Sequence, residues 1–145
     1  MQGVGQDLRG YPEILNGTTR TGRRWFKMTL PCPTWTKHTR VSVNPRGQGR
    51  FLCKAAKDWR NWLGQALTVS ELPQPYLRGE YKLWMEVHHN RADNDPWTGG
   101  TQDDLVAAGF TEDDTNCYIT VSKRIRVKKK DNKFVVYGKE RHAHS

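Results

Sequence analysis

The residues best suited to chemistry are four aspartates in two close pairs, Asp93 with Asp95 and Asp113 with Asp114. Hydrolysing a phosphodiester needs a cation that neutralises phosphoryl charge and activates water. Mg2+ does this while bound through a few carboxylates and keeping several waters. Asp93-Asn94-Asp95 lies just beyond a strand-like run, Glu80 to His88, and Asp113-Asp114 lies just before another, Cys117 to Val127. Two strand ends bring such pairs together when the strands are neighbours. An isolated Asp-x-Asp is more often a solvated surface turn than a catalytic pair, so the motif alone is weak evidence for this chemistry.

The distribution of charge bears on what those acids would meet. The 145-residue chain has a formal net charge of +9, a footprint shared by many proteins that meet polyanions. Residues 1–60 hold twelve Lys/Arg against three acids, and residues 118–141 hold nine against two. Between them, residues 86–114 hold eight acids and a single base, Arg91. A basic frame around an acidic centre suits a protein that attracts phosphate and holds a hard cation against it; two solvated faces flanking an acidic loop would give the same count. The three cysteines, Cys32, Cys53 and Cys117, are widely spaced and lack the paired spacing of a zinc site. With no secretory segment at the start, the expectation is a cytoplasmic protein with reduced thiols. No run approaches the roughly eighteen apolar residues of a membrane helix, so no membrane partner is expected.

The elements that must position the acids can be read from periodicity. Residues 1–24 lack a period and read as a flexible basic arm, and residues 139–145 as a tail, leaving 25–138 as the domain. Trp25 to Leu30 reads as a strand stopped at Pro31 and Pro33. The basic stretch Thr34 to Arg50 reads as a loop or hairpin. Residues 54–67 place Ala55, Trp59, Trp62, Leu63 and Ala66 at helical spacing, which predicts an amphipathic helix. Glu80 to His88 alternates, with Tyr81, Leu83, Met85 and Val87 on one side and Lys82, Trp84, Glu86 and His88 on the other. A short helix is expected over 101–108, stopped by Gly109. Strands follow over 117–127, with Ile119, Val121, Ile125 and Val127 on one face, and over 134–137. The order gives a single small α+β domain with a mixed or antiparallel sheet and two helices.

The ordered set Leu30-Pro31-Cys32-Pro33, the helix near 54–67, Arg91-Ala92-Asp93-Asn94-Asp95, Ala108-Gly109-Phe110 and Glu112-Asp113-Asp114 resembles the RusA-type Holliday junction resolvases. The resemblance covers most of the chain, from residue 25 to residue 128. It implies a homodimeric, Mg2+-dependent endonuclease, with Mn2+ as a substitute, that binds four-way DNA junctions and nicks symmetric strands in recombination and repair. It assigns Asp93, Asp95 and Asp114 as the metal-binding catalytic acids, with Asp113 in support, and it suggests a phage or prophage origin. One departure stands out. Family members have Asn directly after the second Asp and a Lys a few residues on, in a helix; here those places hold Pro96 and Gly99. Either another cation serves, with Lys123, Arg124 and Arg91 as candidates, or turnover is reduced or lost.

DNA phosphates are expected to meet Lys37, Arg40, Arg46, Arg50, Arg91, Lys123 and Arg124, with solubility as the competing role for the basic loop. Strict alternation puts Lys123 on an otherwise apolar face, costly unless it is paired or reaches water at a sheet edge. Trp35 and Trp97 could stack on junction bases or pack in a core or dimer contact. His88-His89-Asn90 lacks the second half of a histidine nuclease motif. A structure-selective DNA-binding protein without catalysis is the second reading. An RNA-binding module ranks last, because no aromatic strand pattern of the RNP type is visible in the sequence.

Overall fold

The computed structural model describes residues 11–32, 41–43, 50–52, 54–90 and 98–144. Strands β1 (Glu13–Thr18), β2 (Arg24–Leu30), β5 (Tyr81–His89), β6 (Cys117–Arg126) and β7 (Lys133–Glu140) form one sheet in the order β1-β2-β7-β5-β6. β3 (Val41–Val43) and β4 (Arg50–Leu52) form a separate antiparallel pair, in the basic stretch where a hairpin was one of the two expectations. Helices α1 (Lys54–Val69) and α2 (Thr98–Ala107) complete a small α+β fold. The pairings are antiparallel except β5 with β6, which run parallel. A parallel neighbour needs a crossover, and α2 lies in that connection.

The helices cover one face of the sheet. α1 buries Ala56, Trp59, Trp62, Leu63 and Leu67, the stripe that a helix of 3.6 residues per turn presents to a core. Against it stand Phe26, Met28 and Leu30 of β2, Leu83, Met85 and Val87 of β5, and Phe134 and Val136 of β7, all buried. α2 ends in a Schellman turn. Gly109, at φ +77°, donates to the Val106 carbonyl at 3.0 Å, and Phe110 donates to the Leu105 carbonyl at 3.0 Å. The turn delivers the Phe110 ring into the core, 4.9 Å from Phe26 in an edge-to-face contact. No helix of the described residues is long and apolar enough to cross a membrane.

Three expectations need correction. Residues 13–18, assigned to a flexible arm, are strand β1, paired along its length with β2. Ile14 and Tyr11 pack on the core, and Gly17 makes room for the Trp25 ring, whose Cζ2 would lie 3.0 Å from any added Cβ. The tail expected from 139 begins later, because β7 runs through Glu140, which is 1% exposed. Helix α2 starts at Thr98 rather than at 101, so Gly99 and Gly100 sit in its first turn.

The two faces of the sheet differ. On the face away from the helices, Lys82, Trp84, Glu86 and His88 of β5 pair with Ile119, Val121, Lys123 and Ile125 of the edge strand β6. The apolar side of β6 is therefore turned away from the helical core, and Ile119 is 47% exposed.

Candidate functional site

The strand ends that lead to the two acid-bearing segments are at opposite ends of the parallel pair. Tyr81 pairs with Cys117 and His89 with Arg126, so residues 91–97 leave β5 at one end while Asp113 and Asp114 enter β6 at the other. At about 3.3 Å per residue, those ends are roughly 27 Å apart. Convergence therefore cannot come from the strand ends alone, as antiparallel neighbours would allow. It depends on the path of residues 91–97. Arg91, Asp93 and Asp95 lie in that segment, outside the described residues, as do Lys37, Arg40, Arg46, Trp35 and Trp97.

Helix α2 narrows the gap. The Gln102 side-chain amide donates to Thr120 Oγ1 at 2.8 Å and approaches Cys117 Sγ at 3.7 Å, so the second turn of α2 docks on the start of β6. Thr98 lies four residues earlier, roughly 6 Å along the helix axis. Asp95 precedes Thr98 by three residues, a span of at most about 10 Å. The chain can thus return the first acidic pair toward the second.

The second pair is well anchored. Asp113 is exposed; its Oδ1 accepts the Thr115 backbone N–H at 3.0 Å and its carbonyl accepts the Tyr81 hydroxyl at 3.2 Å. Asp114 opens the 3-10 turn Asp114–Asn116 that leads into β6. Among the described residues, no group of three or more His, Cys, Asp or Glu is arranged to hold a metal ion. Cys32 is buried, and burial pushes its thiol up to about 12.

The candidate cations divide between the two faces. Lys123 is exposed and pairs across to Glu86 on the open face, away from α2. Arg124 pairs with the core residue Val87, which places it on the same side as α2, and it too is exposed. Arg50 stands in β4. Gly99, in the first turn of α2, provides no charge.

No family model matches this chain, and no curated protein sequence does.

Two features were missed in the sequence. The first is a lysine turn beside the root of the acidic segment. Asn90 donates its backbone N–H to Asn132 Oδ1 at 2.9 Å, and Asn132 Nδ2 returns a bond to Asn90 Oδ1 at 2.9 Å. Val127 donates to the His89 carbonyl at 3.2 Å. These bonds hold Lys128, Lys129 and Lys130, all exposed, next to the point where residues 91–97 depart. The three lysines are plain in the sequence, but only the strand order puts them there. The second is a polar cluster on the open face. Glu86 accepts from the Trp84 indole N–H at 3.0 Å and bonds His88 Nε2 at 3.0 Å. Burial alone would raise the Glu86 carboxyl; the His88 and Trp84 bonds and the Lys123 charge outweigh it and hold it below the usual range.

Proposed function

We propose that the chain is a Mg2+-dependent, structure-selective DNA endonuclease that acts on four-way junctions or other branched DNA as a homodimer in the cytoplasm. The observation that carries this reading is the tie between Asn90 and Asn132, which sets a cluster of exposed lysines at the root of the segment holding Asp93 and Asp95. Phosphate-binding cations beside a run of carboxylates are what a phosphodiester substrate requires: the cations bring the backbone in, and the acids hold a metal against it. The donor set of Asp93, Asp95 and Asp114, with Asp113 in support, is all hard oxygen and suits Mg2+ rather than zinc. A Mg2+ held there would supply charge neutralisation at the phosphoryl group and activation of the attacking water. The remaining work belongs to the protein. Lys128, Lys129, Lys130 and Arg124 bind and orient the strand, and the Asp113 turn fixes the second acidic segment to β5. A two-fold dimer would present two such sites to a two-fold substrate.

The position of Gly99 favours a second reading. It lies in the first turn of α2 without a side chain to contact phosphate, as in a branched-DNA binder that has lost turnover. The two readings part on one assay, in which a labelled synthetic four-way junction and a matched linear duplex are incubated with Mg2+ or with EDTA. Paired nicks in the junction alone, dependent on metal and absent in Asp93→Asn, are expected. Tight junction binding without nicking at any Mg2+ or Mn2+ concentration selects the binding protein, and equal treatment of junction and duplex refutes both.

A further inference from the structure

The open face of the sheet carries an aromatic patch that the cleavage reading leaves unused. Trp84 of β5 pairs directly with Tyr137 of β7, and Trp25 of β2 stands one row along, opposite Lys139. The three rings, with Lys82 and Lys139, line an apolar pocket of about 200 Å3. That is below the roughly 300 Å3 at which drug-sized ligand sites begin, room for little more than one ring system. Trp84 is 41% exposed, and its indole is held at the edge by the bond to Glu86.

The charges around the rings identify what the pocket would take. Lys82 and Lys139 are direct cross-strand partners, a placement in which like charges repel. Among the described residues, no carboxylate forms an ion pair with either of them. Burial, then the neighbouring charges of Arg23 and Lys82, hold the Lys139 amine below its usual range. Among the described residues Lys82, Lys139 and Arg23 have no carboxylate ion pair, which calls for an anion, and three rings call for a flat apolar group. A nucleotide with an unstacked base is both. A second copy of this chain would cover the rings as well, yet a two-fold contact centred on the pocket would set Lys82, Lys139 and Arg23 against their own equivalents.

We propose that the open sheet face is a stacking site for an unpaired stretch of nucleic acid, with a base on Trp84, Tyr137 or Trp25 and its flanking phosphates on Lys82, Lys139 and Arg23. Aromatic platforms beside a cationic track bind single strands with little sequence preference. The site is on the sheet face opposite the helices, needs no metal and does not rest on the cleavage reading.

The test is fluorescence anisotropy in EDTA with labelled single strands of about 12 nucleotides, within the roughly 4–16 nucleotides that known single-strand-binding domains span. The strands are a thymidylate, a uridylate and an abasic oligomer of equal charge; the tighter of the first two names the sugar. Trp84→Ala is expected to weaken binding of the better base-bearing strand roughly tenfold while leaving the abasic strand unchanged. Trp84→Phe keeps most of the affinity, and Lys82→Ala with Lys139→Ala weakens every strand. Because Trp84 lies on the surface, an unchanged circular dichroism spectrum separates lost stacking from lost fold. The proposal is overturned if no strand binds, if the abasic strand binds as tightly as the others, or if Trp84→Ala matches the parent protein. It is also overturned if sedimentation shows a dimer that Trp84→Ala splits into monomers with strand affinity unchanged. Junction nicking plays no part in these readouts, so either reading can fail without the other.

Discussion

Glu140 offers the sharpest test of how the sheet is held together. Its side chain is fully buried at the end of β7, and its carboxylate accepts four hydrogen bonds. The Arg24 and Arg78 backbone N–H groups donate at 2.7 and 2.6 Å, and Arg78 Nε and Nη2 donate at 2.8 and 3.0 Å. One side chain thus ties the start of β2, the loop before β5 and the end of β7. Glu140→Ala leaves two backbone donors and a guanidinium unmatched. Breaking a buried pair from one side costs about 3–5 kcal/mol, and with the Arg78 side chain a quarter exposed the low end, about 3 kcal/mol, applies. For a domain of this size that lowers the melting temperature by roughly 6–12 °C. Glu140→Gln keeps the shape and loses the charge, and about 2 kcal/mol is expected. Burial alone would raise the Glu140 carboxyl; the bonds from Arg78 and from the two backbone N–H groups outweigh it and hold it below the usual range. A depressed folded value means the contribution is complete above the unfolded value of about 4.3 and is lost as pH falls through the lower folded value. The gap in thermal melts between the parent and Glu140→Ala or Glu140→Gln should therefore narrow as pH falls below about 4.3. A Glu140→Ala protein melting within about 2 °C of the parent at pH 7, against the expected drop of roughly 6–12 °C, would refute the reasoning. So would a gap that stays constant with pH.

Two other perturbations follow from geometry. Gly138 faces the core beneath Phe26, and a methyl group there would collide with that ring and lie 3.0 Å from Leu77 Cδ1; Gly138→Ala is expected to cost about 1–3 kcal/mol by overpacking, read as a lower denaturant midpoint with the slope unchanged. Replacing Lys128, Lys129 and Lys130 by Ala should weaken junction and duplex DNA alike. It should also reduce the slope of log affinity against log salt by up to about 3, near 0.9 for each phosphate that is no longer neutralised. An unchanged slope would remove the lysine turn from the interface.

Much of the fold was legible because long elements carry their own periodicity. The stripe of Trp59, Trp62 and Leu63 gave α1, and the alternation from Tyr81 to His88 gave β5 to within a residue at either end. Gly109 was read as the stop of α2 and proves to be the positive-φ residue of its Schellman turn. β1 was not legible. Its only large apolar residues are the adjacent Ile14 and Leu15, one to each face, and an edge strand takes its pairing from β2 rather than from its own pattern. The extension of β7 to Glu140 was hidden for a related reason. An alternation containing Gly138 and a buried carboxylate does not look apolar, although Gly138 and Glu140 both face inward.

The site was less legible than the fold, and the parallel pairing of β5 with β6 explains why. Sequence places Asp93 and Asp95 after one strand and Asp113 and Asp114 before the next, and reading those ends as adjacent assumes a hairpin-like connection. With α2 as a crossover, the two pairs can meet only if the chain folds back along the helix, and the Gln102 bond to Thr120 is what makes the return short. The same pairing decides the role of the neighbouring cations. Lys123 and Arg124 are adjacent in sequence, but alternation along β6 sends Lys123 to the aromatic face beside Glu86 and Arg124 to the side of α2. If a cation replaces the side chain absent at Gly99, Arg124 is on the correct side of the sheet and Lys123 is not. Arg124→Ala would then impair nicking by the parent protein, whereas Lys123→Ala would leave it intact and act only on the open face.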